Sequence, residues 1–384
     1  MILLLSAGGE DDVLLAELGR QQPAWSGQVD RPGLIIARPP SGPVSTSPTL
    51  AFVRQALPGA EFVSAASVGA WVREVVERVV VQLPDDRPWR LQIGAFYGAK
   101  PRERMGARAW HSATRWTRER PGEPVKDPPE VASHAGRFRC QLIEEGVVQR
   151  LKERRRNRLK VRVTDPVPFS PDEGVVQVLL VSPERGWISI VPGSGRDEWR
   201  RILSPFPWGE VPLAVDKAAP SRAFAKLVEA EQRLGRPIRP GETCVDLGAA
   251  PGSWTYVAVQ RGARVTAVDR SPLRADLMQH SQVEFVSGDA FRFRPGSAVD
   301  WLLCDVIAAP DRSIDLLLEW LALGAMRRFV VSIKLRGPAD HPALERLKGE
   351  LPRWSDDGQV LQLCANKGEV CAFGSRRDAS PIFP

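Results

Sequence analysis

Apolar residues recur along this chain with two periods, and the places where one gives way to the other mark out its elements. Residues 2–6, Ile-Leu-Leu-Leu-Ser, form a short apolar run that reads as a strand, followed by a helix over 11–21 and strands at 33–37 and 62–64. Over 71–81, Val72, Val75, Val76 and Val79 fall at helical spacing, although β-branched residues weaken the propensity. A strand over 88–97 follows. Residues 137–159 carry Leu142, Ile143, Val147, Val148 and Leu151 as one helix. Strands are predicted at 161–163, 175–181 and 187–191, with turns at 170–174 and 182–186.

From residue 221 the pattern changes to strict alternation. Apolar strands at 244–247, 264–268, 283–286, 301–304 and 328–333 are separated by helical stretches such as 313–324, and further strands lie near 360–363 and 369–373. That order predicts a doubly wound α/β sheet. The chain is therefore expected to comprise an α+β module over 1–84, a second region over 85–203, a linker over 204–220 and the α/β domain over 221–384. Pro205, Pro207, Pro212 and Pro220 stiffen the linker. Residues 98–129, rich in Arg, Pro and Gly, read as a loop.

Composition narrows the function classes. A chain of 384 residues with 43% hydrophobic residues builds folded domains rather than a disordered tail. The first apolar run is too short for a signal segment and lacks a basic flank, and no later stretch has the length to span a bilayer, so a cytoplasmic protein is expected. Cys140, Cys244, Cys304, Cys364 and Cys371 show no zinc or redox spacing and read as reduced core residues. His111, His134, His280 and His341 are scattered, which argues against a structural metal and a hydrolase triad.

The net charge of +7 suits a polyanionic partner, and the basic residues concentrate at 102–120 and 150–162. In the first stretch Trp110 and Trp116 are interleaved with arginines, a composition that can stack on bases as well as stay solvated. In the second, Arg154, Arg155, Arg156 and Arg158 exceed what a helix C-terminus needs and are expected to form a phosphate-binding patch.

One stretch joins a strand to a helix through glycines. In residues 243–254, Asp246 ends the strand, Gly248 permits the turn, and Pro251 and Gly252 open the helix, whose free N–H groups suit an anion. The turn is not Gly-x-Gly-x-x-Gly and has no Gly-Lys-Ser/Thr, so a cofactor carboxylate fits better than a pyrophosphate. Asp269 and Asp289 follow the next two strands, where a doubly wound sheet presents acids to a ribose and an adenine; an aspartate there is more often a helix cap or loop residue, but two in series at strand ends favour the ligand. Asp305 and Lys334 follow two later strands and are expected to pair, because an unpaired buried ammonium is costly.

Taken together, Ser221-Arg-Ala-Phe-Ala-Lys226, Asp246-Leu-Gly-Ala-Ala-Pro-Gly-Ser-Trp254, Cys-Asp305, Ser-Ile-Lys334 and Lys-Gly-Glu369-Val resemble the FtsJ-type RNA ribose 2'-O-methyltransferases. Within them the likeness is to the RlmM-type bacterial proteins, which methylate a cytidine of 23S ribosomal RNA and carry an RNA-binding THUMP domain upstream. Phe52-Val-Arg-Gln55 resembles their Phe-Ala-Arg-Gln element, whereas the turn reads Ala-Pro-Gly-Ser in place of Cys-Pro-Gly-Gly.

The resemblance implies a Rossmann-like methyltransferase sheet preceded by an α+β THUMP-like region. It implies S-adenosyl-L-methionine as cofactor and ribosomal RNA as partner, with neither metal nor membrane. Lys226, Asp305, Lys334 and Glu369 would be the catalytic tetrad, with Lys334 the catalytic lysine. Ser221, Asp246, Gly248, Ala250, Pro251, Gly252, Ser253, Trp254, Asp269, Asp289 and Asp305 would line the cofactor site. A lysine assists removal of a hydroxyl proton if desolvation and a neighbouring cation lower its pKa, with the carboxylates opposing part of that shift. Transfer RNA or another RNA site, and a silent RNA-binding assembly role, remain open.

Overall fold

The structure, a computed structural model, describes residues 1–377 apart from 8, 9, 41–47, 98–133, 165–167, 169, 171, 194–198, 200, 201, 212, 215 and 367. The expected loop at 98–129 and its tryptophans lie outside the described residues. Two units separate along the chain, 1–212 and 213–384.

In the first unit the opening apolar run is strand β1 (Ile2–Ser6), buried throughout, and α1 (Asp11–Gln21) follows it. Three more strands complete an antiparallel sheet, β2 (Ser26–Arg31), β3 (Leu34–Arg38) and β4 (Val53–Pro58), in the order β2-β3-β1-β4. The hydrophobic pattern missed β4 because Arg54 and Gln55 interrupt it, yet both are buried. The Gln55 amide accepts from Ser204 N at 2.8 Å and donates to the carbonyls of Ser204 and Phe206.

A second sheet begins directly afterwards with β5 (Glu61–Ser64), then α2 (Val68–Gln82), β6 (Trp89–Ala95), α3 (His134–Arg154), α4 (Arg156–Lys160), β7 (Gly174–Leu180) and β8 (Arg185–Val191). Its order is β5-β8-β7-β6, with β6 and β7 parallel. Trp71, Val72, Val75, Val76 and Val79 of α2 and Ile143, Val147 and Leu151 of α3 share one core with Leu91, Ile93, Val176, Val178 and Ile188 of the sheet.

Three expectations are corrected here. The boundary placed at residue 84 does not divide the sheets, since β5 pairs with β8 and the change of sheet falls between residues 58 and 61. The strand at 161–163 is a single bridge between Trp89 and Arg162. The first part of the linker is packed rather than extended: Phe206 and Trp208 are buried, and a side chain at Gly94 would collide with the Trp208 ring. Gly209, at φ 71°, lies so close to the Arg54 carbonyl that no Cβ fits there.

The helix read as continuous over 137–159 breaks at Arg155, where φ is −148° and ψ 54°. The break redirects Arg158 inward. Its guanidinium donates to the carbonyl of Val79 at 2.9 Å, which also accepts from Leu83 N, to that of Val80 at 2.8 Å and to that of Leu83, so it caps the C-terminal end of α2. Arg158 is therefore a buried cap and not part of a phosphate-binding surface, whereas Arg154, Arg155 and Arg156 are exposed. Replacing Arg158 by alanine is expected to lower stability by about 3 kcal/mol, the scale of several charged hydrogen bonds to buried carbonyls. Urea unfolding checks this, and an unchanged midpoint would refute the capping role.

The second unit holds α5 (Phe224–Leu234), β9 (Thr243–Leu247), α6 (Ser253–Gln260), β10 (Arg264–Asp269), α7 (Ala275–Met278), β11 (Val283–Ser287), β12 (Val299–Cys304), α8 (Pro310–Leu323), β13 (Met326–Lys334), α9 (His341–Glu350), β14 (Gln359–Leu361) and β15 (Glu369–Ser375). The sheet runs β11-β10-β9-β12-β13-β15-β14, parallel except that β15 is antiparallel to both its neighbours. This is the doubly wound arrangement expected from the alternation. Leu227, Ala230, Trp254, Val257, Ala258 and Leu277 of the helices pack with Cys244, Val265, Ala267, Trp301, Leu303 and Val330 of the strands. α8 packs outside that cluster, against β13. The strand order reverses between β10-β9 and β9-β12, so the crevice of such a sheet opens at the C-terminal end of β9.

Candidate active site

The crevice is where the glycine turn stands. Gly248, at φ 73°, donates its N–H to Val268 O at 2.9 Å, and a Cβ there would come within 2.7 Å of Val306 Cγ2 and 3.1 Å of its Cα. Only glycine lets the turn pass this close to the backbone after β12. The Ala250–Pro251 peptide is cis, Gly252 has φ 107°, and α6 begins at Ser253 with no side-chain cap from Gly252.

Several predicted cofactor residues meet here. Ser221 Oγ and Ser253 Oγ lie 2.7 Å apart, and Trp254 is buried with its indole N–H donated to Ala223 O at 2.8 Å. Asp269 accepts from Ala250 N at 3.0 Å and Ser271 N at 2.9 Å, so it braces the turn from the end of β10. Asp289 stands beyond β11, accepts from Phe291 N at 2.9 Å and pairs with Arg270 at 2.7 Å. These bonds leave acceptor capacity on both carboxylates.

Asp246 does something else. It is buried and accepts from Thr255 Oγ1 at 2.6 Å, tying β9 to the first turn of α6. Burial pushes its carboxyl up to about 7, with Asp305 and Asp269 adding to the shift and the Thr255 hydrogen bonds opposing it. The unfolded chain releases this proton near pH 4, at about 3.9. Between that value and about 7 the folded state holds a proton the unfolded state has lost, so stability from this residue declines as pH rises through the window. Asp246→Asn is expected to flatten that decline, read as unfolding free energy against pH.

Beside the turn the two lysines and two acids form an alternating square. Lys226 Nζ donates to Asp305 Oδ1 at 2.9 Å and Oδ2 at 2.8 Å, and lies 3.0 Å from Glu369 Oε1. Lys334 Nζ donates to Asp305 Oδ1 at 2.6 Å and to Glu369 Oε2. Strand pairing explains the meeting, because Lys334 on β13 is the partner of Glu369 on β15, and Asp305 follows β12 on the other side of β13. The Lys226 side chain is 7% exposed and that of Lys334 24%, so Lys334 is the amine that faces outward.

The condition for Lys334 to remove a proton, a lowered pKa, is not met here. Burial by itself would lower it, but the charge and hydrogen bond of Asp305, together with Glu369, raise it well above the ordinary lysine value. For Glu369 burial by itself would raise the value, and the Lys334 hydrogen bond with the charges of both lysines brings it below the ordinary glutamate range. At neutral pH the outward amine is an ammonium.

The sequence missed the residues that hold this geometry. Val306 packs on Gly248, and the Asp305 N–H is donated to Leu247 O at 3.2 Å. Glu229, three residues after Lys226 on α5, is fully buried, pairs with Arg233 at 2.9 Å and accepts from Ala365 N in the segment leading to Glu369. An acid on the buried face of an apolar helix was the signal available for it. Among the described residues no three His, Cys, Asp or Glu side chains cluster as a metal site, and no helix is long and apolar enough to cross a membrane.

Residues 219–335 match the family of FtsJ-like methyltransferases, a span that includes the turn, Lys226, Asp305 and Lys334. Among curated proteins the chain is 39% identical over 189 residues to the "Ribosomal RNA large subunit methyltransferase M" of Laribacter hongkongensis (strain HLHK9), covering 46% of this chain and 54% of that one. It is also 39% identical over 211 residues to the protein of the same name from Thauera aminoaromatica, covering 52% and 56%. The chain thus spans about half the length of the curated relatives it matches.

Proposed function

We propose that the protein transfers a methyl group from S-adenosyl-L-methionine to a ribose 2'-hydroxyl of ribosomal RNA, at a cytidine of the 23S molecule, in the cytoplasm. The observation that carries this is the Lys226-Asp305-Lys334-Glu369 square standing at the switch point beside the turn. The residues suit the cofactor: the N-terminus of α6 would take its carboxylate, Asp269 its ribose, and Asp289 its adenine side. When bound, its sulfonium supplies an electrophilic methyl group.

The chain's own residues then act on the acceptor. Lys334, held as an ammonium, donates a hydrogen bond to the 2'-oxygen and fixes its lone pair in line with the methyl group. As the carbon–oxygen bond forms at the expense of the methyl–sulfur bond, the hydroxyl oxygen becomes strongly acidic and its proton passes to solvent water, because Lys334 is already protonated. Asp305 and Glu369 orient the two amines, and Lys226 anchors both acids from below.

The first unit is proposed to hold RNA in a THUMP-like manner through Arg154, Arg155 and Arg156. Changing all three to glutamine is expected to weaken RNA binding without loss of stability, and to reduce the salt slope of log affinity by about 2, at about 0.7 per single-strand phosphate. Filter binding across a salt series checks this. The reaction itself is tested by incubating unmodified, in vitro-transcribed 23S RNA with the protein and labelled cofactor and mapping 2'-O-methyl nucleotides. Label confined to base atoms, or no label, rejects the proposal.

A further inference from the structure

The end of the second unit's sheet remote from the square carries a group of arginines that the reaction does not use. Arg327 and Arg328 lie near the start of β13, and Arg236 and Arg239 lie in the segment between α5 and β9. Strand pairing brings the two places together, because Arg328 is opposite Trp301 on β12 and Trp301 is opposite Cys244 on β9. Arg236 donates to Glu242 Oε1 at 2.5 Å, Arg328 stands 3.7 Å from the same oxygen, and Arg327 lies 3.3 Å from Asp300 Oδ1. Arg328 and Lys334 are six residues apart on one strand, so about 20 Å separates this end from the square.

The two acids do not neutralise the four guanidinium groups. Glu242 Oε2 accepts from Arg239 N at 2.8 Å and from the Trp301 indole at 2.8 Å, and Asp300 Oδ2 accepts from Thr243 N at 2.9 Å and Thr243 Oγ1 at 3.1 Å. Each carboxylate thus spends one oxygen on pinning strand ends. The Arg328 side chain is 22% exposed and its guanidinium lies 5.6 Å from the centre of the Trp301 ring. At 3.7 Å from Glu242 it is beyond hydrogen-bond reach, and among the described residues it donates no hydrogen bond. Burial and the charge of Arg236 hold its pKa below the ordinary arginine value, with Arg239 adding to the shift and Glu242 and Asp300 opposing it. Arg239 and Arg327 are exposed beside it. Like charge is gathered here in partly dry surroundings with donors to spare, and an anion would relieve both.

Resting on the reading of ribosomal RNA as substrate, we propose that this end of the sheet is a second RNA-docking surface, where Arg236, Arg239, Arg327 and Arg328 take backbone phosphates. Guanidinium forks match phosphate oxygens in pairs. Trp301, the aromatic ring of the cluster, is fully buried and cannot stack on a base, so the contact is to the backbone. Such contacts fix the position of an RNA without reading its sequence. A nucleotide whose ribose sits at the square does not reach about 20 Å along the strands, so a separate segment of a folded RNA supplies these phosphates. The surface therefore favours a large folded RNA over a short fragment.

The test uses the intact chain with in vitro-transcribed, unmodified 23S RNA in filter binding across a salt series. Arg239→Gln combined with Arg327→Gln is expected to raise the Kd for RNA on the order of tenfold at about 0.15 M salt, and to reduce the salt slope of log affinity by about 1.4, at about 0.7 per phosphate. Arg328→Gln is expected to reduce the slope by about 0.7, and Arg328→Lys, which keeps the charge, to retain it. Both side chains of the double variant are exposed, so its urea midpoint and its calorimetric Kd for S-adenosyl-L-methionine stay at the wild-type values. Its methyl-transfer rate at saturating RNA is also unchanged. An unchanged slope in the double variant, or a lowered affinity with the wild-type slope, overturns the docking surface and leaves the reaction intact. A wild type that binds the RNA but transfers no methyl group overturns the functional reading and not the surface.

Discussion

Lys334→Ala is expected to lower the rate of methyl transfer by about 10²–10⁴-fold, the range for loss of one positioned proton-handling or charge-stabilising group. Stability should change little, because the side chain is the outward member of the square and Lys226 still touches both acids. Cofactor affinity should also hold, since Lys334 contacts neither the 248–254 turn nor Asp269. Single-turnover transfer of labelled methyl, with calorimetric titration of the cofactor, separates these effects. Undiminished transfer rejects the role of Lys334. Because Asp305 and Glu369 keep the amine protonated, activity should not fall when pH drops from 9 to 7, as it would for a lysine acting as a base with a lowered pKa.

Lys226→Met produces the opposite balance. This lysine is buried against Asp305 and Glu369, and removing one partner of such a group leaves negative charge without compensation, at a cost of about 3–5 kcal/mol. Both stability and activity should fall. Adding Asp305→Asn to Lys226→Met should recover part of the stability but none of the activity, which a double-mutant cycle measures in denaturant. A single variant as stable as the parent would show that the square is not a coupled unit.

The contrast between Arg156 and Arg158 shows where sequence reading stops. Both lie in one basic run, and charge patterning treats them alike. A break of the helix at Arg155 leaves the first in water and turns the second onto the carbonyls closing α2, seventy-odd residues earlier in the chain. The linker failed similarly: its prolines were visible, but burial of Phe206 and Trp208 decides that its first part belongs to the first unit. β4 escaped because its buried polar side chains are satisfied by distant partners, which no local period records.

The sequence by itself determined the alternation that makes the second unit a doubly wound sheet, the glycine turn, and the residue types of the site. Those features are local: strand and helix periods, a backbone angle that excludes a Cβ, and the recurrence of acids and lysines at strand ends. Tertiary structure alone decided that Lys226, Asp305, Lys334 and Glu369 form one closed square, that its outward lysine is an ammonium, and that Asp246 is sealed beneath the turn. Electrostatic energies depend on distances between side chains far apart in sequence and on the water excluded between them, and both exist only once the strands are laid side by side.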